Sequence, residues 1–528
     1  MIFQIPGMNF DKSSTFRSII IITLVLAVST WVRAQTPVVI TVDLHNKAQT
    51  IQNFGASGCW YSEPIGLYWP DSTKKRMAEL LFSKEMDEDG NPKGIGLSAW
   101  RFNIGAGTAE QGDSSGIKDV NRRAECFLNA DGTYNWKKEQ GYLWFVKKAR
   151  KYGVENLIAF VNSPPIYYTQ NGLGYKTTKD RHANLKADKY DAYANFLAEV
   201  LVHFNSENIY FNFISPVNEP QWEWYNKFGE ATQEGSPYTN AEIYKVIRAL
   251  DQTLTARRLS NKILTPEAGM LNYLYSTPKN STNGSQIQHF WSAESALYLG
   301  NLTHLSKFVA GHGYFTDDTT QKAIYIRQRV ADTAKKYKVE YWQSEYSMLG
   351  DGFKEGKPGK RSGFDCAMFL ARLIHYDLTY GNASGWQFWN AWEPGAADFD
   401  PRYYLLALHP SADFKSGSFD VTKNLWALGH FSRFIRPGME RLDLKKTDAD
   451  LLTSAFYGDK KLVMVVINNS GTMKKSQLNI SGGTFKTYRS YITTANTKEN
   501  MKPGRNGKAD DILDIQPRSI YTLVIDEK

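Results

Sequence analysis

The feature that most limits how this protein folds is an alternation of short apolar runs with amphipathic stretches between residues 52 and 390. Eight runs have the length and texture of strands: QNFGASG (52–58), LSAWRFN (97–103), NLIAFVN (156–162), NIYFNFISPV (208–217), KILTPEA (262–268), FVAGHGY (308–314), VEYWQSE (339–345) and ASGWQFWN (383–390). Helical patterns lie between them. In DKYDAYANFLAEVLVHFN (188–205), Tyr193, Phe196, Leu197, Val200, Leu201 and Phe204 recur at helical spacing and so bury one face. YTNAEIYKVIRALDQTL (238–254) and QKAIYIRQRVADTAKKY (321–337) repeat that pattern. Strand–helix units in such a series predict an α/β fold, a (β/α)8 TIM barrel over 52–432. The loops at 104–137 and 164–187 are longer than the minimal unit requires, and long loops in a compact domain usually carry function.

The texture changes near the C-terminus. LLTSAFYGDKKLVMVVINNS, SQLNISGGTFKTYRSYITT and SIYTLVID alternate apolar and polar residues and turn at Gly-Asp, Asn-Ser and Gly-Gly. This predicts an antiparallel β-sandwich over 433–528. The segment 35–51 also reads as strands. An isolated hairpin is marginal, so these strands are expected to join the C-terminal sandwich. Residues 1–34 read as a signal peptide: Lys12 and Arg17 precede the apolar run SIIIITLVLAVSTWV, and small residues surround a cleavage site after Ala34. The expected location is secreted or periplasmic, with no membrane association after cleavage.

Charge and cysteine usage narrow the chemistry. The formal charge of +9 is scattered, and its densest cluster, KEGKPGKR (354–361), has the character of a solvated loop, so no nucleic-acid partner is expected. Cys59, Cys126 and Cys366 show no metal-binding spacing, so neither a metal nor another cofactor is expected. One disulfide among them is compatible with export.

In a TIM barrel the reacting groups sit at the C-terminal ends of the strands. That rule selects Arg101 and Asn103, Asn162 and Ser163, Asn218 and Glu219, Glu267, His312 and Tyr314, Glu345, and Trp386 with Trp389. Two carboxylates across a cleft suit glycoside hydrolysis, one kept protonated and the other ionised by their surroundings. Glu219 and Glu345, on the fourth and seventh expected strands, form the best pair. Glu267 is a third carboxylate of lower priority. Glu223 and Glu393 read as loop residues. Aromatic residues make up 14% of the chain, and rings beyond the needs of a core often line sugar clefts. Trp60, Tyr61, Trp222, Trp224, Trp386, Trp389 and Trp392 fall on expected mouth loops or strand ends, with Trp222 and Trp389 the leading candidates for stacking on sugar.

SPVNEP resembles the fourth-strand motif of clan A glycoside hydrolases, and YWQSEYS resembles the clan's seventh-strand motif. The N-terminal strands returning to a C-terminal sandwich resemble glycoside hydrolase family 30. The stretches FGASGCW, GIGLSAWRFNIGAG, VNSPPIYYTQNG and WQFWNAWEPG look most like its endo-β-1,6-galactanase branch. The resemblance implies that Glu219 is the general acid and base and Glu345 the nucleophile of a retaining double displacement. It further implies that Asn218 bonds the sugar 2-OH, that Arg101 keeps Glu345 ionised, and that Tyr314 bonds Glu345. His312, Asn162 and Trp60 would line the pocket. The expected partner is a polysaccharide or oligosaccharide, β-1,6-galactan first, with β-1,6-glucan or xylan as alternatives. A non-catalytic glycan-binding protein is the reading from a different class.

Overall fold

The computed structural model describes residues 36–350, 361–444 and 448–528. The expected signal peptide and nearly all of the basic cluster lie outside them. Two strands, β1 (Val38–Asp43) and β2 (Lys47–Thr50), precede eight parallel strands: β3 (Asn53–Ser57), β4 (Ala99–Asn103), β5 (Asn156–Phe160), β6 (Phe213–Ser215), β7 (Lys262–Ala268), β8 (Leu305–His312), β9 (Glu340–Tyr346) and β10 (Ala383–Phe388). They close into a barrel in sequence order, with β10 pairing both β9 and β3. The three expected helices form at Tyr190–Ser206, Asn240–Ala256 and Thr320–Lys336. A capping box at Thr239 and Glu242 starts the second of these.

The fourth strand is much shorter than the apolar run 208–217 suggests. Asn208 has a positive φ of 58° where the preceding helix ends, and Pro216 has no N–H to extend the ladder. The barrel axis is filled in layers. Ala99, Ile158, Leu264, Ala310 and Trp342 form a buried apolar floor, flanked by Phe213 and Phe308. Two residues further along their strands, Arg101, His312 and Ser344 occupy the next layer, because strand side chains alternate with period two. The floor therefore places polar groups at the open end.

After the barrel closes, a small sheet that the sequence did not announce is built from β11 (Trp392–Pro394), β12 (Leu406–Pro410) and β13 (Gly417–Val421). It caps one side of the mouth. The C-terminal strands are β14 (Glu440–Leu442), β15 (Leu451–Gly458), β16 (Lys461–Asn468), β17 (Lys474–Ser481), β18 (Phe485–Thr493), β19 (Lys502–Pro503), β20 (Gly507–Lys508), β21 (Ile512–Ile515) and β22 (Ser519–Glu527). They form two facing sheets. β1 pairs in parallel with β17 in one sheet, and β2 pairs antiparallel with β14 in the other. The fold is thus a TIM barrel with a β-sandwich built from both ends of the protein.

β16 shows how the two parts join. Its Leu462, Met464 and Val466 face the sandwich core, whereas Val463, Val465 and Ile467 belong to the barrel's core. Burial on both faces explains its unbroken apolar run. Polar links reinforce the seam: Gln49 donates to the carbonyls of Leu378 and Ala383, and buried His430 bonds the hydroxyls of Thr522 and Thr493 at 2.8 Å. All three cysteines are buried and free, so the disulfide allowed by their number does not form.

Candidate active site

Three glutamates converge at the C-terminal mouth of the barrel. Glu345 lies near the end of β9, where a register irregularity beside His312 turns it out of strict alternation. Its Oε2 accepts from Arg101 at 2.5 Å, and its Oε1 accepts from the Tyr314 hydroxyl at 2.9 Å. Glu219 follows β6, and Glu267 lies near the end of β7. Both have left-handed backbones, with φ of 44° and 53°. Such φ values are costly for residues with a Cβ and persist where the surroundings enforce them. Here the Glu219 N–H donates to the Glu267 carbonyl at 2.9 Å, and Trp224 Nε1 donates to the Glu219 carbonyl at 3.1 Å.

His312 links the three. Its Nδ1 lies 3.0 Å from Glu219 Oε1 and 3.6 Å from Glu345 Oε1, and its Nε2 lies 3.2 Å from Glu267 Oε2. Burial alone would lower its pKa. The charge of Glu345 and the hydrogen bonds with Glu219 and Glu267 outweigh burial and raise it to about 10. His312 is therefore a cation at neutral pH. Burial would likewise push Glu267 up, but the Arg101 guanidinium and His312 hold it at about 2, with further hydrogen bonds from Ser215 and Ser344 at 2.5 Å. Glu219 moves the other way. Burial raises it, His312 offsets part of the rise, and the charge of Glu345 adds to it. His312 engages Oε1 of Glu219, which leaves Oε2 clear of the imidazole.

One carboxylate oxygen each from Glu219 and Glu345 and a ring nitrogen of His312 lie within 4.8 Å of one another. Those three atoms are close enough to hold a metal ion. Their donors are already engaged with each other and with Arg101 and Tyr314, and a cation would have to displace a protonated imidazole.

The mouth encloses a cavity of about 300 Å³. Of the residues expected at the site, Asn162, Asn218, Glu219, Tyr314, Glu345, Trp60, Trp222, Trp224 and Trp389 line it. Arg101 and His312 do not. They are buried behind the cavity wall, Arg101 against Glu345 and His312 against Glu219, Glu267 and Glu345. Asn218 donates to Asn162, which donates to Asn103, both at 3.1 Å. This relay leaves the buried Asn218 Oδ1 without a partner beside Glu219.

Trp60 and Trp389 meet edge to face at 5.2 Å, and Trp222 meets Phe315 the same way at 6.1 Å. Three expected mouth rings are instead core. Trp386 is buried and donates to Asp377, Trp392 packs against Trp100 and Phe145, and Tyr61 stacks on Phe414. Glu223 lies 3.7 Å from Arg181 and does not line the cavity. The sequence reading missed Arg122, Gln233, Phe315, Ser347, Leu349 and Tyr403, and it set Glu393 aside as a loop residue. Only Glu393, four residues after Trp389, carried a positional signal. Among the described residues, the cis peptide bonds are Cys59–Trp60, Thr265–Pro266 and Trp389–Asn390.

A TIM barrel with a closely spaced carboxylate pair in an aromatic-lined mouth defines a glycosidase class. The protein belongs to O-glycosyl hydrolase family 30, whose family model matches residues 37–398. Among relatives, it is 23% identical over 419 residues to glucuronoxylanase XynC of Bacillus subtilis, covering 78% of this chain and 82% of that one. A crystal structure of a conserved exported protein from Bacteroides fragilis aligns with a TM-score of 0.85 at 32% identity, over 92% of this chain and all of the other. The endo-β1,6-glucanase BT3312 aligns with a TM-score of 0.63 at 18% identity, over 92% and 94% of the two chains, a likeness of fold.

Proposed function

We propose that the protein is an exported, retaining glycoside hydrolase that cleaves β-1,6-galactan by double displacement. The carrying observation is the Glu219–Glu345 pair, with oxygens within 4.8 Å and opposite surroundings. That spacing suits the retaining geometry of about 5–5.5 Å and is too small for a water between inverting carboxylates. Glu345, clamped by Arg101 and Tyr314, attacks the anomeric carbon as a carboxylate. Glu219, raised by burial, gives its proton to the leaving oxygen and then takes a proton from water. The free Asn218 Oδ1 accepts from the sugar 2-OH.

Two of the motif stretches that favour galactan, FGASGCW and WQFWNAWEPG, supply Trp60, Trp389 and Glu393 to the cavity wall. Export rests on the N-terminal segment 1–34. Xylan and β-1,6-glucan are the competing substrates, in keeping with the relatives named above. The test is hydrolysis of β-1,6-galactan, β-1,6-glucan and glucuronoxylan side by side. Galactan should be cleaved with the highest kcat/KM, and Glu345→Gln should lose at least about 10⁴-fold of that while keeping its Tm. Turnover of glucan or xylan alone would overturn the galactan assignment, and an active Gln variant would overturn the nucleophile.

A further inference from the structure

One corner of the cavity holds a charged pair that the two-carboxylate chemistry does not use. Glu393 on β11 lines the cavity, with its side chain 16% exposed. Its Oε1 accepts from Asn390 Nδ2 at 3.1 Å, and among the described residues Oε2 accepts no hydrogen bond. Arg122, from the loop after β4, lies over the Trp60 ring at 4.5 Å. It reaches Glu393 Oε1 only at 3.7 Å and Asp119 at 3.8 Å, so its guanidinium has donors to spare. An acceptor oxygen and an under-used donor thus stand side by side next to the Trp60–Trp389 corner. The idle oxygen faces the cavity, so a ligand hydroxyl can take the place of water there and donate to a charged acceptor.

We propose that Glu393, with Arg122 beside it, reads the C-3 and C-4 hydroxyls of the sugar unit whose anomeric carbon reacts. This deepens the reading of a retaining hydrolase of β-1,6-linked hexans and rests on it. The assignment follows by elimination. In a 1,6-linked glycan, the C-6 position of that unit carries the preceding residue, C-1 is the reacting carbon, and the 2-OH faces Asn218. The free hydroxyls left are at C-3 and C-4, a vicinal pair that one carboxylate can accept from together. Arg122 donates to the same hydroxyl oxygens. The C-4 configuration separates galactose from glucose, so this corner decides which hexan is cut.

The test uses the full-length enzyme and 4-nitrophenyl β-1,6-galactobioside, with counterparts deoxygenated at C-3 or C-4 of the ring next to the aglycone. In the unaltered enzyme each deoxygenation should lower kcat/KM about 10- to 100-fold, the range for a hydrogen bond to a charged group. Glu393→Gln keeps the Asn390 contact and should lose a similar factor on the parent, with little further loss on the deoxy substrates. Glu393→Asp, which retains the charge but shortens the reach, should behave alike and serves if the Gln variant has a lowered Tm. An unchanged deoxy penalty in the variants, or parent activity within threefold of the unaltered enzyme, would overturn the inference. Failure of the unaltered enzyme on both galactobioside and glucobioside would instead overturn the functional reading beneath it.

Discussion

Glu267 contributes to the charge balance of the site without lining the cavity. It has hydroxyl donors on two sides, the Arg101 guanidinium at 3.8 Å and His312 at 3.2 Å. Its charge helps keep His312 cationic, and the cation in turn restrains the upward shift of Glu219. Replacing Glu267 with Gln removes that charge. His312 then titrates lower, Glu219 loses a neighbouring cation, and its pKa rises further. With Glu219 as the proposed acid, the alkaline limb of the kcat/KM profile should move to higher pH, and the rate at the optimum should fall at least about tenfold. A profile superimposable on that of the unaltered enzyme would show that Glu267 acts only in packing. At this scale the sequence was informative where strand-end position and residue type agreed, as at Glu219 and Glu345. It ranked Glu267 low because a left-handed residue inside a strand leaves no trace in a two-residue period.

At the scale of elements, the loops at the mouth are tied down by buried acids. Glu234 accepts from the Ala106 N–H and, at 2.6 Å, from the Thr108 hydroxyl, joining the loop after β4 to the segment before the helix Asn240–Ala256. Burial pushes it to about 8, and burial likewise pushes Glu63 to about 7. For a carboxyl whose folded pKa is raised, the stabilisation is complete below the unfolded value of about 4.5 and is lost as pH rises through the folded value. Glu267, held at about 2, changes nothing in that window, because its contribution is already complete above 4.5. Tm should therefore fall between about pH 5 and 8.5, and Glu234→Gln should flatten the slope. An equal slope in the variant would contradict the assignment. Element positions were legible from periodicity, whereas the occupants of the loops were not. Arg122 sits in a loop with no period to read. Trp386 was misplaced because strand alternation turns it outward onto the helix Gly363–Thr379, where Asp377 binds its indole.

Across the whole molecule, barrel and sandwich share one seam. The alternate faces of β16 feed the two cores, and Gln49 and His430 bridge them with buried hydrogen bonds. The sandwich thereby braces the barrel from the side of β10 and β3, the strands that lead to Trp389 and Trp60. This joining was readable from orphan strands at the N-terminus that needed a sheet to pair with. The sheet formed by β11, β12 and β13 was not, because its strands are short and its pairing is set by the closing barrel. The barrel holds oxygens of Glu219 and Glu345 within 4.8 Å, and under the proposed double displacement that separation sets the stereochemistry of cleavage. The most direct test is proton NMR of the first product formed from the glycan that the enzyme cleaves. Double displacement predicts that the new reducing end appears first as the β-anomer and only later mutarotates, while an α-anomer appearing first would contradict a covalent intermediate on Glu345.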